Sequence, residues 1–295
     1  MADPWMLVAD YLRRWGAAPA GASFMTATSV LAPATRDGEP VMLKIATASE
    51  ERRGNALMAW WAGRGAARVL EYDETAVLLE RAIGTRSLAT SAADGGAGDD
   101  DATRTLCAVA GRLHTIEDAP PTGAIGLDAW FADLFRHAED IGGFHERAAV
   151  IARTLLADQR EPVMLHGDLH HGNVLDFGAR QHPETDGWLA IDPKHLIGDR
   201  AFDFTNILCN PSGTVATRAG RLSRQVDVIC TAAELERERL LLWTIAWCGL
   251  SSAWTQRSAR SRRYRRPPDD RSESAAAATV QVGEQAERLL EATAR

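Results

Sequence analysis

Residues 162–193 constrain this chain more than any other stretch. Pro162-Val163-Met164-Leu165 is a short apolar run, Val174-Leu175 a second, and Trp188-Leu189-Ala190-Ile191 a third, each of strand length. Polar residues stand between and after them: His166-Gly167-Asp168-Leu169-His170-His171-Gly172-Asn173, and then Asp192-Pro193. The pattern predicts strand, loop, strand, turn and strand, with Asp168, Asn173 and Asp192 delivered at strand ends.

Upstream, Trp5, Leu7, Val8, Tyr11, Leu12 and Trp15 are spaced as on a helix that Gly16 ends. Residues 23–32 are rich in strand formers, Asp37-Gly38 is a tight-turn signal, and Pro40 to Ile45 reads as the return strand. Lys44 stands in the middle of that strand. A helix is predicted from Ser49 to Ala62, capped by Ser49 or Thr47, with Glu50 and Glu51 favouring its positive end. Arg68 to Tyr72 and Ala76 to Arg81 read as two further strands. The acidic, glycine-rich residues 92–101 read as a flexible loop.

Helical patterns follow over Thr103 to Ile116, Leu127 to Ala138 and Phe144 to Ala157. The longest runs from Ala232 to Gln256, and a terminal helix from Ser274 to Ala292. Arg257 to Arg271 holds seven arginines interrupted by Pro267-Pro268 and Asp269-Asp270, which reads as a solvated connector. The organisation expected is an α+β chain of two lobes: residues 1–83 rich in antiparallel strands, and residues 84–295 mainly helical.

A net charge of −7 disfavours nucleic acid as a partner, because phosphate neutralisation needs a basic surface. The four cysteines form no CxxC pair and read as buried free thiols. The N-terminal residues lack a secretory pattern, and no apolar run nears the ~20 residues that span a bilayer. A cytoplasmic protein without membrane contact is the expectation.

Asp168, Asn173 and Asp192 are the residue types that phosphoryl transfer requires: a carboxylate for a hydroxyl proton, and oxygen ligands for Mg2+ on ATP. In that reading Asp168 accepts the proton or orients the hydroxyl, and Asn173 and Asp192 hold Mg2+. Lys44 neutralises the α- and β-phosphates, and Glu51, or Glu50, keeps Lys44 extended. Backbone groups from Glu80 to Ala82 form the hinge that meets adenine. A zinc site on His166, His170 and His171 is the rival, but adjacent histidines point apart on an extended chain.

At these residues the chain resembles the aminoglycoside phosphotransferase branch of the protein-kinase-like fold. His166-Gly167-Asp168-Leu169-His170-His171-Gly172-Asn173 matches its catalytic loop, and Ile191-Asp192-Pro193 stands where protein kinases have Asp-Phe-Gly. Val41-Met42-Leu43-Lys44, the Gly63 to Leu70 segment, Leu196-Ile197-Gly198-Asp199 and Leu250 to Trp254 point to the aminoglycoside/hydroxyurea resistance kinases. Among these the likeness is to streptomycin 6-phosphotransferases. The resemblance implies a bilobal kinase using ATP and Mg2+ on a hydroxyl of a cationic, aminoglycoside-like substrate. Thr26-Ala27-Thr28-Ser29 lacks the glycine-rich run of other kinases, so Thr28 and Ser29 are expected to meet the phosphates. Asp199 is a candidate carboxylate for the substrate. A kinase of choline, homoserine or sugar type, or a nucleotide-binding module without turnover, are the alternatives.

Overall fold

The computed structural model describes residues 4–262 and 270–293. An antiparallel sheet opens the fold. Its path runs Ala18–Pro19, Ser29–Arg36, Glu39–Ala46, Ala76–Glu80 and Val69–Tyr72, with Phe24–Met25 also paired to Ser29–Arg36. Asp37 and Gly38 take φ of 55° and 84° between paired Arg36 and Glu39, the left-handed pair of a tight hairpin.

The strand expected over 23–32 is divided. The Thr26 hydroxyl oxygen accepts the Ser29 N–H at 3.1 Å and the Thr26 N–H donates to Ser29 O at 2.9 Å. This side-chain bond turns the chain where propensity alone extends it.

Side chains alternate across the sheet. Val30, Ala32, Ala34, Val41, Leu43 and Ile45 pack with Leu12 of the Pro4–Arg14 helix and with Trp15, just after it, into one core. Lys44 lies between Leu43 and Ile45, so it faces the other way, towards the Ser49–Trp61 helix. That helix buries Glu51, Asn55, Leu57, Met58 and Trp61. Its N-cap is Ala48, with no side-chain cap, so neither Ser49 nor Thr47 plays the expected part.

Gly54 lies mid-helix, where glycine is unfavourable. A Cβ there would stand 2.3 Å from the Pro193 carbonyl oxygen. The helix therefore rests directly on the backbone after Asp192. Gly54→Ala is expected to lower the melting temperature: overpacking costs about 1–3 kcal/mol, against a propensity gain of about 1 kcal/mol. A thermal melt checks this, and a raised melting temperature would show that the contact yields.

The second core is larger and mainly helical. At its centre Phe202 meets Phe131, Trp243 and Trp247 edge to face, and Phe131 lies tilted against Trp243. Two expectations need correction. Residues 92–101 are helical: Leu88–Asp94 ends at Gly95, and Gly96–His114 begins at once. Their glycine and aspartate content suggested solvent, yet Asp99 is buried and takes two hydrogen bonds from Arg221, at 2.8 and 2.9 Å. Likewise, the helix expected from Ala232 is two. Arg221–Ala233 ends at Glu234, whose φ is 52°, and Arg237–Arg262 follows. That helix takes in the start of the expected arginine-rich connector; residues 263–269 lie outside the described residues. The Asp270–Thr293 helix packs against Arg237–Arg262. Among the described residues no helix is long and apolar enough to cross a membrane, and the four cysteines are free.

Candidate active site

Pro162–Leu165, Val174–Asp176 and Trp188–Ala190 form as strands, and the polar loops between them line a cleft below the sheet. Val174–Asp176 and Trp188–Ala190 pair antiparallel. Asp192 follows at φ 60° and His195 at φ 56°, so the chain turns sharply after the strand. This turn brings Asp192 to Lys44: Nζ to Oδ1 is 2.5 Å. Lys44 also binds the Glu51 carboxylate, and both side chains are nearly buried. Glu51 is therefore the partner of Lys44. Glu50, one residue earlier, points to Lys194 at 3.1 Å.

The 166–173 loop is held from below. Asp203, fully buried, accepts the His166 N–H at 2.8 Å and the Gly167 N–H at 2.7 Å. It also bonds His114 Nε2 at 2.8 Å. Burial opposes the charge on Asp203, but the His114 bond and the loop N–H groups prevail and hold its pKa below the ordinary 3.8. Its folded-state pKa is depressed, so its stabilisation is present above about 3.8 and is lost as pH falls through the folded value. Asp203→Ala would strand these buried donors and is expected to cost about 3 kcal/mol or more. Urea unfolding at pH 7 measures it, and a loss below about 1 kcal/mol would remove Asp203 as the loop's anchor. His166 Nε2 donates to Ile191 O at 2.8 Å, and its ring stacks on Trp61, with centroids 6.0 Å apart.

Asp168 sits above this platform. Its Oδ1 accepts the Asn206 amide at 2.9 Å, and Lys194 Nζ is 3.9 Å from Oδ2. The carboxylate keeps 28% of its surface open to the cleft, yet surrounding protein desolvates it. Burial raises its pKa to about 7; Lys194 pulls it down, and Glu50 and Asp192 push it up. Asn173 Nδ2 donates to the Asp168 backbone oxygen at 2.9 Å, which turns Oδ1 of the amide away from these contacts. His170 and His171 are held uncharged, their pKa values lowered by burial to about 4 and about 3. Among the described residues no group of three His, Cys, Asp or Glu side chains converges as a metal site, so the zinc arrangement does not form.

The remaining expected positions are less uniform. Thr28 and Ser29 stand at the turn before the Ser29–Arg36 strand, and Ser29 Oγ is buried without a partner. The Glu80 side chain is occupied by the Arg68 N–H at 2.6 Å and by His182 at 3.0 Å. The Glu80 backbone N–H donates to Arg68 O at 3.0 Å and the Arg81 N–H to Pro40 O at 3.1 Å, so both of these donors are committed within the protein. Asp199 does not reach the cleft. It is buried, accepting Arg239 Nε at 2.8 Å, the Arg160 N–H at 3.1 Å and the Ala201 N–H at 3.0 Å. These bonds tie three segments together, so Asp199 is corrected from a substrate carboxylate to a structural one.

Sequence reasoning missed Lys194, Asn206 and the cavity beside Asp168. That cavity, of about 490 Å3, is walled by Glu50, Trp130, Asp133, Lys194, Trp247 and Trp254. One signal was present: Trp247 and Trp254 are seven residues apart, which is the same face of a helix.

The family described as aminoglycoside/hydroxyurea antibiotic resistance kinase matches residues 14–259. The chain belongs to that family. It is 44% identical over 248 residues to streptomycin 3''-kinase of Klebsiella pneumoniae, covering 82% of this chain and 90% of the relative. It is 32% identical over 263 residues to streptomycin 6-kinase of Streptomyces griseus, covering 84% and 81%. Among solved structures, aminoglycoside phosphotransferase APH(4)-Ia in complex with ADP and hygromycin B superposes with a TM-score of 0.63. The identity there is 12%, over 95% of this chain and 98% of the other, and it shows the protein-kinase-like fold alone. The kinase assignment read from the motifs thus holds. The finer lean towards 6-kinases is not shown: identity is higher to a 3''-kinase, and the matching motifs serve phosphoryl transfer, which both activities share.

Proposed function

We propose that this kinase transfers the γ-phosphoryl group of ATP to a hydroxyl of a streptomycin-type aminoglycoside, at the 3'' position, and so inactivates it. The observation that carries this reading is the buried Lys44–Glu51 pair meeting Asp192 in the cleft that holds Asp168. The 44% identity to a streptomycin 3''-kinase supports the acceptor.

Lys44, held extended by Glu51, presents its charge to the phosphates. The backbone from Glu80 to Ala82 reads adenine, and the turn at Thr28 and Ser29 covers the phosphates. Asn173 Oδ1 and the partly exposed Asp192 carboxylate, whose Oδ1 meets Lys44, are hard oxygen donors that suit Mg2+. Bound there, Mg2+ would neutralise charge on the phosphates. Asp168, poised near neutral pH, orients the acceptor hydroxyl and takes its proton. Positioning dominates this chemistry, and the Asp203 anchor and the Asn206 bond fix the Asp168 oxygens before substrate arrives.

The test is incubation with ATP, Mg2+ and streptomycin, followed by NMR location of the phosphate. A 3''-phosphate is expected. A phosphate on the 6-hydroxyl would overturn the position. No streptomycin product, with turnover of choline, homoserine or a sugar, would overturn the substrate.

A further inference from the structure

Lys194 stands between the phosphate end of the cleft and the acceptor end. Its backbone is fixed on both sides. Asp192 and His195 take φ of 60° and 56°, so the segment turns tightly around it. The Lys194 N–H donates to His166 O at 2.7 Å, which pins it to the 166–173 loop. Gly167 permits this approach: a Cβ there would stand 3.0 Å from the Lys194 Cβ. The side chain lies beside Asp168, and it is the cation in the wall of the 490 Å3 cavity.

Glu51 joins the two lysines of the cleft. Its Oε2 binds Lys44, and its Oε1 lies 3.5 Å from Lys194 Nζ. Lys44 reaches on to Asp192 at 2.5 Å, and Lys194 lies 3.9 Å from Asp168 Oδ2. A phosphoryl group that leaves ATP at Lys44 and Asp192 for a hydroxyl at Asp168 therefore passes Lys194. The ammonium is not saturated. It has three N–H donors. Glu50 takes one at 3.1 Å, Glu51 is at the outer limit of a hydrogen bond, and Asp168 is beyond it. The Glu50 side chain is 40% exposed, so water replaces its bond at little cost when Lys194 turns to a phosphoryl oxygen.

We propose that Lys194 is a catalytic residue whose ammonium meets the γ-phosphoryl group in transit and stabilises the charge on its outer oxygens. The proposal rests on the phosphotransferase reading and adds a residue to it. In this step the acceptor oxygen bonds phosphorus, and the bond from phosphorus to the β–γ bridging oxygen breaks, its electron pair staying on ADP. The hydroxyl proton goes to Asp168, and Lys194 keeps its own protons. The moving group is loose and nearly planar, with negative charge spread over three oxygens. It must approach the Asp168 carboxylate, and a cation fixed beside that carboxylate offsets the repulsion. Lys194 is pinned before ATP binds, so little reorganisation is needed when the charge moves. Lys44, nearly buried between Glu51 and Asp192, serves the other end of the phosphate chain.

The experiment compares Lys194→Met and Lys194→Gln with the parent, in the full chain. The first measurement is calorimetric titration of ADP and Mg2+, with and without fluoroaluminate, a planar anionic mimic of the phosphoryl group in transit. The parent is expected to bind ADP about tenfold or more tightly when fluoroaluminate is present. Both variants are expected to lose most of that gain, while affinity for ADP alone stays within about threefold and so reports an intact fold. The second measurement is steady-state kinetics with streptomycin. There kcat of each variant is expected to fall about 10²–10³-fold, the range for loss of one preorganised donor, with KM for ATP nearly constant. Lys194→Gln keeps the test open if Lys194→Met fails to fold. A lysine that only braces the fold would weaken ADP and the mimic together, and that result overturns the proposal. So does a parent without the gain, or a folded variant that keeps it. If the variants lose the gain but the parent does not phosphorylate streptomycin, Lys194 stands and the proposed acceptor falls. If the parent phosphorylates streptomycin and the variants turn over at its rate, the reaction stands and the role of Lys194 falls.

Discussion

Asp168→Asn is expected to lower kcat by about 10²–10⁴-fold, the range for loss of a positioned proton acceptor, while ADP affinity changes by no more than a few-fold. The asparagine is nearly isosteric but cannot take a proton at neutral pH. Its backbone platform does not depend on the carboxylate: Asp203 holds the His166 and Gly167 N–H groups, and Asn173 Nδ2 bonds the Asp168 backbone oxygen. The carboxylate contacts exposed to the change are the Asn206 bond to Oδ1, the 3.4 Å contact of Asn173 Nδ2 with Oδ2 and the approach of Lys194. In the parent, burial places the carboxyl pKa at about 7, so near neutrality charged and protonated forms coexist and proton transfer meets little mismatch. Steady-state kinetics with streptomycin, together with ADP titration, decide the matter. Undiminished turnover would sink the proton-acceptor role. Parallel loss of nucleotide affinity would make Asp168 a structural residue of the nucleotide site.

The second large effect is expected at Lys44. Lys44→Met removes a nearly buried cation that Glu51 and Asp192 share. Breaking a buried pair by deleting one partner costs about 3–5 kcal/mol, because the remaining charge stays desolvated. Lys194 softens this for Glu51, which it approaches at 3.5 Å. The phosphates would lose a charge-assisted bond as well, worth about 1.5–3 kcal/mol. The lost bond predicts a fall of about 10- to 150-fold in kcat/KM for ATP, and the broken pair a lower melting temperature. An unaltered KM for ATP in a folded variant would take Lys44 out of the phosphate site.

These two residues also show how far the sequence could be read. Asp168, Asn173 and Asp192 are close along the chain, and short apolar runs bracket them, so local pattern was enough to place them at strand ends. Lys44 was visible as a charge inside an apolar strand, and period-two alternation set it on the face opposite Leu43 and Ile45. The choice between Glu50 and Glu51 was not visible. Adjacent helix positions point about 100° apart, and only the packing of the helix on Pro193, permitted by Gly54, decides which one meets Lys44.

Where the reading failed, the cause was a partner distant in sequence. Asp99 and its glycine-rich neighbours look solvated until Arg221 closes on the carboxylate. Asp199 looked available until Arg239 and the Arg160 N–H claimed it. Lys194 carried no pattern of its own; it gains meaning because Glu50 and Asp168 converge on it.

The sequence by itself determined where the residues of the proposed reaction machinery stand along the chain. Strand-end placement of Asp168, Asn173 and Asp192 follows from hydrophobic periodicity over a few residues, and so does the antiparallel sheet that carries Lys44. The tertiary structure alone decided which carboxylates are open to a substrate and which are spent on internal bonds. It also decided that Trp130, Trp247, Trp254 and Asp133 share one cavity beside Asp168. The physical reason is range. Strand pairing and turn formation are written in neighbouring residues, whereas burial and charge neutralisation depend on side chains that meet only when the two cores have packed.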